Sequence, residues 1–210
     1  MRAGLKTLSQ YWLDPIVRTL ARLGVTPNAL TCTGFAITVV AGLLAASGSL
    51  LAAGTVSLLG GGFDMLDGAL ARNTGQASKF GALLDSTLDR YGEGAVLLGI
   101  LIYGARSDQV EVVALGGLAL TGSFMVSYVK ARAEGLDIEC EVGVLTRTER
   151  VILLGAGLMA GLVLPVLAVV AVLANVTAVQ RLVHVWRASQ TPRGVQAARL
   201  DGARDILEDP

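Results

Sequence analysis

Helix-length apolar stretches recur along this chain with only short polar breaks between them, and that alternation confines the fold to a bundle of membrane helices. Crossing about 30 Å of hydrocarbon takes roughly 20 apolar helical residues, because a lipid-exposed backbone must satisfy its own hydrogen bonds. A chain of 210 residues thus accommodates about six spans with short loops and a tail. The stretches fall near 30–47, 51–71, 82–103, 110–132, 149–163 and 165–186. They predict an all-α polytopic membrane protein with six transmembrane helices. Composition agrees: 53% of residues are hydrophobic and 16% charged, too apolar for an ordinary soluble domain. The net charge is zero, so bulk charge points to no nucleic-acid partner and only the placement of charge informs.

Before the first span, Leu8, Trp12, Ile16, Leu20 and Leu23 recur at intervals of three or four, with Arg18 and Arg22 on another face. This spacing predicts an amphipathic interfacial helix, ended by Thr26-Pro27-Asn28. Lys6, Asp14, Arg18 and Arg22 interrupt the segment before any long apolar run, which argues against a cleavable signal peptide. The expected organisation is a juxtamembrane helix and linker (1–28), a six-helix domain (29–187) and a polar cytosolic tail (188–210). Pro165 and nearby glycines are expected to separate the last two spans. Of the 17 Lys and Arg, all but Arg106 fall on the side shared by the two termini, which the positive-inside rule makes cytosolic. The expected location is the cell membrane, multi-pass. Tyr11, Trp12, His184 and Trp186 read as interface residues. Cys32 and Cys140 lack metal-like spacing and read as free thiols.

The segment from 63 to 90 holds four carboxylates, Asp64, Asp67, Asp85 and Asp89, in or beside two expected spans. An intramembrane carboxylate costs several kcal/mol, so four together require a reason. Asp64 and Asp67 are spaced i, i+3 and Asp85 and Asp89 i, i+4, so each pair shares one helical face. With Asn73 to Phe80 as the turn between antiparallel neighbours, all four would converge near the cytosolic interface. Like charges at close range take up protons or bind cations. Mg²⁺ or Mn²⁺ suits carboxylate and phosphate oxygens, and four carboxylates suffice for two ions roughly 3.5 to 4 Å apart.

Written as a pattern, Asp64-x2-Asp67-Gly68-x2-Ala71-Arg72-x8-Gly81-x3-Asp85-x3-Asp89 resembles the signature of the CDP-alcohol phosphotransferases at all eight positions. Chance agreement is on the order of 10⁻¹⁰ per starting point at average residue usage. The resemblance implies a six-helix fold, a homodimer, and transfer of a phosphatidyl-type group from a CDP-linked lipid to a small polar alcohol. It implies that the four aspartates bind the metals and that Asp89 also takes the proton from the acceptor hydroxyl. Asn28, Ala29, Leu30 and Thr31 would close the nucleotide site, with Gly68, Ala71 and Gly81 around it. Arg72 and Ser78 would contact the pyrophosphate.

A second set of charges, Lys130, Arg132, Arg147, Arg150 and Arg181, lies at the cytosolic span ends. Each is explained singly as a snorkelling anchor, whereas together they would bind an acceptor phosphate. The stretches SYVKARAEG, RTER and VQRLVHVW resemble the branch of the family that uses inositol 1-phosphate. Glycerol 3-phosphate, the acceptor of phosphatidylglycerophosphate synthases, would need a basic pocket too. A cation-coupled transporter is the leading reading of another class, although no proline-broken helix pair marks a midplane site. An intramembrane protease lacks its motifs here, with no HExxH and no GxSxG.

Overall fold

The computed structural model of the protein describes residues 15–190, and every regular element among them is an α-helix. Helix α1 covers 15–22 of the described residues. It is followed by α2 (Pro27–Ala46), α3 (Leu50–Thr74), α4 (Lys79–Arg106), α5 (Val110–Glu134), α6 (Arg147–Met159) and α7 (Val163–Ser189). Expected positions Leu8, Tyr11 and Trp12 and the tail beyond 190 lie outside the described residues. Val17 of α1 is buried, while Ile16 and, just past the helix end, Leu23 of the apolar stripe face outward.

Local chemistry sets the helix ends. Thr26 caps α2 by accepting the Ala29 N–H, and Pro27 occupies the first turn, where its missing N–H costs nothing. Gly75 closes α3 in the left-handed region at φ 66°, and Ser78 caps α4 by accepting the Gly81 N–H at 3.0 Å. These two caps shrink the turn expected over Asn73 to Phe80 to residues 75–78. At α6 a capping box, with the Glu149 carboxylate accepting the Thr146 N–H, starts the helix at Arg147 rather than 149. The break between the last two helices is not made by Pro165. Gly161 turns the chain at φ 71°, and Pro165 sits in the first turn of α7, where proline is tolerated.

Short connections make α2 to α7 alternate in direction. The starts of α2, α4 and α6 therefore share one end of the bundle with the finishes of α3, α5 and α7. Helix α2 packs on both α3 and α4, α5 on α4 and α7, and α6 on α3 and α7. Helices α3 and α4, joined by the four-residue turn, scarcely touch each other. The expectation that they are close antiparallel neighbours is corrected: α2 bridges them and leaves a cleft at the turn end.

Glycine brings the helices this close. A Cβ on Gly99 of α4 would overlap the Gly42 carbonyl of α2, and one on Gly54 of α3 would overlap the Gly155 carbonyl of α6. Around these seams Ala41, Ala45, Leu97, Ile100, Leu154, Leu158, Leu167 and Val170 form the buried core. Helices α2, α5 and α7 are long and apolar enough to cross a membrane. Helices α3 and α4 have the length, 25 and 28 residues, and carry the acids. Helix α6 has 13 residues, about 20 Å at 1.5 Å per residue, short of a bilayer core.

Candidate active site

A cavity of about 190 Å³ opens where α2 begins, α3 ends and α4 begins. Pro27, Asn28 and Thr31 line it from α2; Asp67, Gly68, Ala71 and Arg72 from α3; Gln76, Ala77 and Ser78 from the turn; and Gly81, Ala82 and Asp85 from α4. Two helix N-termini and Arg72 thus face one pocket, an arrangement suited to an anion such as a diphosphate. At Gly81 a Cβ would lie 3.0 Å from Ser78 Oγ and 3.2 Å from Asn28 Oδ1. At Gly68 a Cβ would meet the Arg72 guanidinium at 3.3 Å.

Of the nine residues expected at the nucleotide, seven line this cavity: Asn28, Thr31, Gly68, Ala71, Arg72, Ser78 and Gly81. Ala29 and Leu30 do not. Ala29 is exposed and gives its N–H to the Thr26 cap, and Leu30 turns into the protein interior. On a helix only every third or fourth residue faces one pocket, so a run of four consecutive residues was bound to include outliers.

The carboxylates hang over the cleft from both sides. Asp67 is buried and accepts a 2.7 Å hydrogen bond from the Thr31 hydroxyl. Asp85 has a buried oxygen, Oδ1, that accepts no hydrogen bond. Asp67 and Asp85 each feel the charge of Asp64, and Asp89 feels both Asp64 and Asp85. The remaining member of the group is a cation: Arg147 Nη2 lies 2.7 Å from Asp64 Oδ2 and 2.7 Å from Asp89 Oδ1. Among the described residues no three His, Cys, Asp or Glu side chains stand close enough together to hold a metal ion in this arrangement. The donor chemistry itself fits a hard divalent cation. All the donors are carboxylate oxygens, one of them is buried without a partner, and a positive charge already sits between two of them.

The five basic residues have separate environments. Arg147 joins the acids. Arg150 is fully buried and gives Nε and Nη2 to the two Glu93 oxygens at 2.6 and 2.8 Å, leaving a buried Nη1 without a partner. Arg181 is buried and donates to the Val142 carbonyl at 2.9 Å and the Val126 carbonyl at 2.7 Å. Lys130 pairs with Glu141 at 3.0 Å and Glu134 at 3.7 Å, and Arg132 is exposed. Arg150 and Arg181 are near enough to feel each other's charge. The Lys130 and Arg181 contacts both tie the 135–146 connection to the bundle.

Sequence reasoning missed Glu93, Gln76 and the Thr31 contact to Asp67. Glu93 carried a readable signal, since a lone acid between Gly92 and Gly94 in a span demands a partner. His184 sits beside the Glu139 carbonyl at 3.1 Å. Both cysteines are free, Cys32 exposed and Cys140 buried.

A helical membrane bundle with a cavity lined by two helix N-termini, Arg72, Asp67 and Asp85 suits an enzyme that works on a diphosphate-activated lipid. The chain belongs to the CDP-alcohol phosphatidyltransferase family, whose model matches residues 24–189. It is 38% identical over 182 residues to the archaetidylinositol phosphate synthase of Methanothermobacter thermautotrophicus, covering 84% of this chain and 89% of that protein. To the phosphatidylinositol phosphate synthase of Mycobacterium tuberculosis it is 37% identical over 203 residues, covering 91% and 92%. The crystal structure of that mycobacterial synthase with CDP-DAG bound matches with a TM-score of 0.77 at 36% identity, over 83% of this chain and 93% of that one. A second crystal structure, in complex with manganese and citrate, gives a TM-score of 0.77 over 83% and 88%.

Proposed function

We propose that this transferase moves the phosphatidyl group of CDP-diacylglycerol onto inositol 1-phosphate, giving phosphatidylinositol phosphate and CMP. The observation that carries the reading is the single cavity in which Asn28, Thr31, Gly68, Ala71, Arg72, Ser78 and Gly81 lie beside Asp67 and Asp85. The acceptor is supported by relatives named for inositol phosphate lipids, and the donor by a neighbour that carries CDP-DAG.

In this reading the N-termini of α2 and α4, with Arg72 and Ser78, hold the diphosphate by backbone N–H groups and charge-assisted hydrogen bonds. Two divalent cations, Mg²⁺ or Mn²⁺, held by Asp64, Asp67, Asp85 and Asp89 would neutralise the diphosphate and the departing CMP. Thr31 orients Asp67 for that task. Asp89 accepts the proton of the acceptor hydroxyl as that oxygen bonds to the lipid-linked β-phosphorus and the bond to CMP breaks. Of the five basic residues at this end of the bundle, Arg147 stands at the acids and receives the acceptor phosphate there, with Lys130, Arg132, Arg150 and Arg181 adding positive charge around it.

We further infer that α2 to α7 all cross the cell membrane, that both termini and the site face the cytosol, and that the enzyme is a homodimer. Exposed Leu51 and Leu59 on α3, Leu98 and Ile102 on α4 and Ile152 on α6 give these helices apolar surface to turn to lipid, and the 13-residue α6 crosses where the bilayer thins to match it.

The test is direct. Purified protein given Mg²⁺, CDP-diacylglycerol and radiolabelled inositol 1-phosphate should yield labelled lipid and CMP. Product from glycerol 3-phosphate, and none from inositol 1-phosphate, would reassign the acceptor to that of a phosphatidylglycerophosphate synthase. Absence of CMP release from any acceptor would favour a transporter. Asp89→Asn should abolish turnover while leaving CDP-lipid binding mostly intact.

A further inference from the structure

Arg147 opens α6, and its guanidinium stands where a counter-charge for the acids is most needed. It lies 2.7 Å from Asp64 on α3 and 2.7 Å from Asp89 on α4, tying together two helices that otherwise scarcely meet. The placement is built from below. One turn along α6, Arg150 is locked to Glu93 of α4, and Gly155 sits backbone to backbone on Gly54 of α3. The first turn of α6 is thereby fixed over the cleft.

Within that fixed turn the Arg147 side chain is held at its tip alone, through Nη2. Its side chain is 29% exposed, so the guanidinium has a way out, and its buried Nε makes no hydrogen bond that would hold it.

A divalent cation requires the same carboxylate oxygens, and two cations on one pair of carboxylates repel strongly at these distances. We propose that Arg147 is the resident counter-cation of the aspartates, that an incoming divalent cation displaces it, and that the released guanidinium then binds the phosphate of the acceptor. Cation loading and binding of the phosphorylated alcohol are thereby coupled, and the coupling is reciprocal. This deepens the function proposed above and rests on the aspartates being the cation ligands.

The experiment uses full-length protein in detergent and two readouts that do not depend on turnover. Phenylglyoxal, which modifies accessible guanidinium groups, is applied with and without Mn²⁺, and labelling of Arg147 is measured by mass spectrometry. Mn²⁺ binding is followed by electron paramagnetic resonance in the unmodified protein and in Arg147→Gln. The expected result is labelling of Arg147 that rises roughly fivefold or more with Mn²⁺, within the usual range of coupling between linked sites. Inorganic phosphate should protect Arg147 in the Mn²⁺-loaded protein and not in the metal-free one. Arg147→Gln should bind Mn²⁺ more tightly.

Labelling that stays level or falls while Mn²⁺ binds the unmodified protein overturns the displacement and leaves the metal assignment standing. No Mn²⁺ binding by either protein removes the metal assignment, and the displacement with it. The labelling arm needs no variant, so a misfolded Arg147→Gln does not blunt the test.

Discussion

Arg150 of α6 and Glu93 of α4 meet through two parallel hydrogen bonds of 2.6 and 2.8 Å, with 0% and 2% of their side chains exposed. Removing one partner leaves the other charge buried without compensation. Glu93→Gln or Arg150→Met should therefore destabilise the fold by about 3 to 5 kcal/mol, the usual cost of breaking a buried pair. The double variant Glu93→Leu/Arg150→Met should recover much of that loss, because two apolar groups leave no charge stranded. Thermal unfolding in detergent reads both, and equal losses in single and double variants would contradict the pairing.

At Gly81 two effects oppose. Alanine is the better helix former by about 1 kcal/mol, yet its Cβ would sit 3.0 Å from Ser78 Oγ and 3.2 Å from Asn28 Oδ1. Gly81→Ala should leave the melting temperature unchanged or raised while KM for the CDP-lipid rises. A lowered melting temperature with unchanged KM would place Gly81 outside the nucleotide pocket.

The seam between α2 and α4 makes the opposite case. At Gly99 a Cβ would overlap the Gly42 carbonyl, whereas at Gly117 it would meet nothing within 4 Å. Gly99→Ala should cost about 1 to 3 kcal/mol through forced overpacking, and Gly117→Ala should be neutral or mildly stabilising. Side-by-side melting curves decide it.

The Thr31 hydroxyl donates to Asp67 at 2.7 Å. Thr31→Val keeps the shape and removes the hydroxyl, so Mn²⁺ affinity should fall about 10- to 100-fold, the usual effect of losing a partner that orients a metal ligand. Titration monitored by electron paramagnetic resonance gives the number, and unaltered affinity would remove Asp67 from the ligand set.

Chelation provides the last check. Activity should vanish in EDTA and return with Mg²⁺ or Mn²⁺, as four carboxylates on one cleft require a counter-cation to bind a diphosphate. Activity persisting in EDTA would exclude the aspartates as metal ligands.

Much of this arrangement was readable from spacing. Four acids at i, i+3 and i, i+4 point to two helical faces that meet, and Asp67 and Asp85 do line one cavity while Asp64 and Asp89 share Arg147. The helices themselves emerged within a few residues because apolar length and cap chemistry are local. What was not legible depends on which helix lies against which. Nothing in the sequence near Arg147 distinguishes it from Arg132, yet the Gly54 and Gly155 contact brings one into the acids while the other stays exposed. The separation of α3 from α4 was hidden for the same reason, since a four-residue turn ordinarily joins packed neighbours and here α2 intervenes.

Where Gly42 and Gly99 press main chain against main chain, no rotamer change can adjust the gap between α2 and α4. The crossing of α2 and α4 is consequently a property of the peptide skeleton, whereas the cavity lies about 14 residues nearer the start of α2, roughly 21 Å along it, and is bounded at Gly81 by the side chains of Ser78 and Asn28. Any broadening of substrate range in a descendant of this chain would begin at such movable groups, with the glycine seam left untouched as the pivot that keeps α2 and α4 in register.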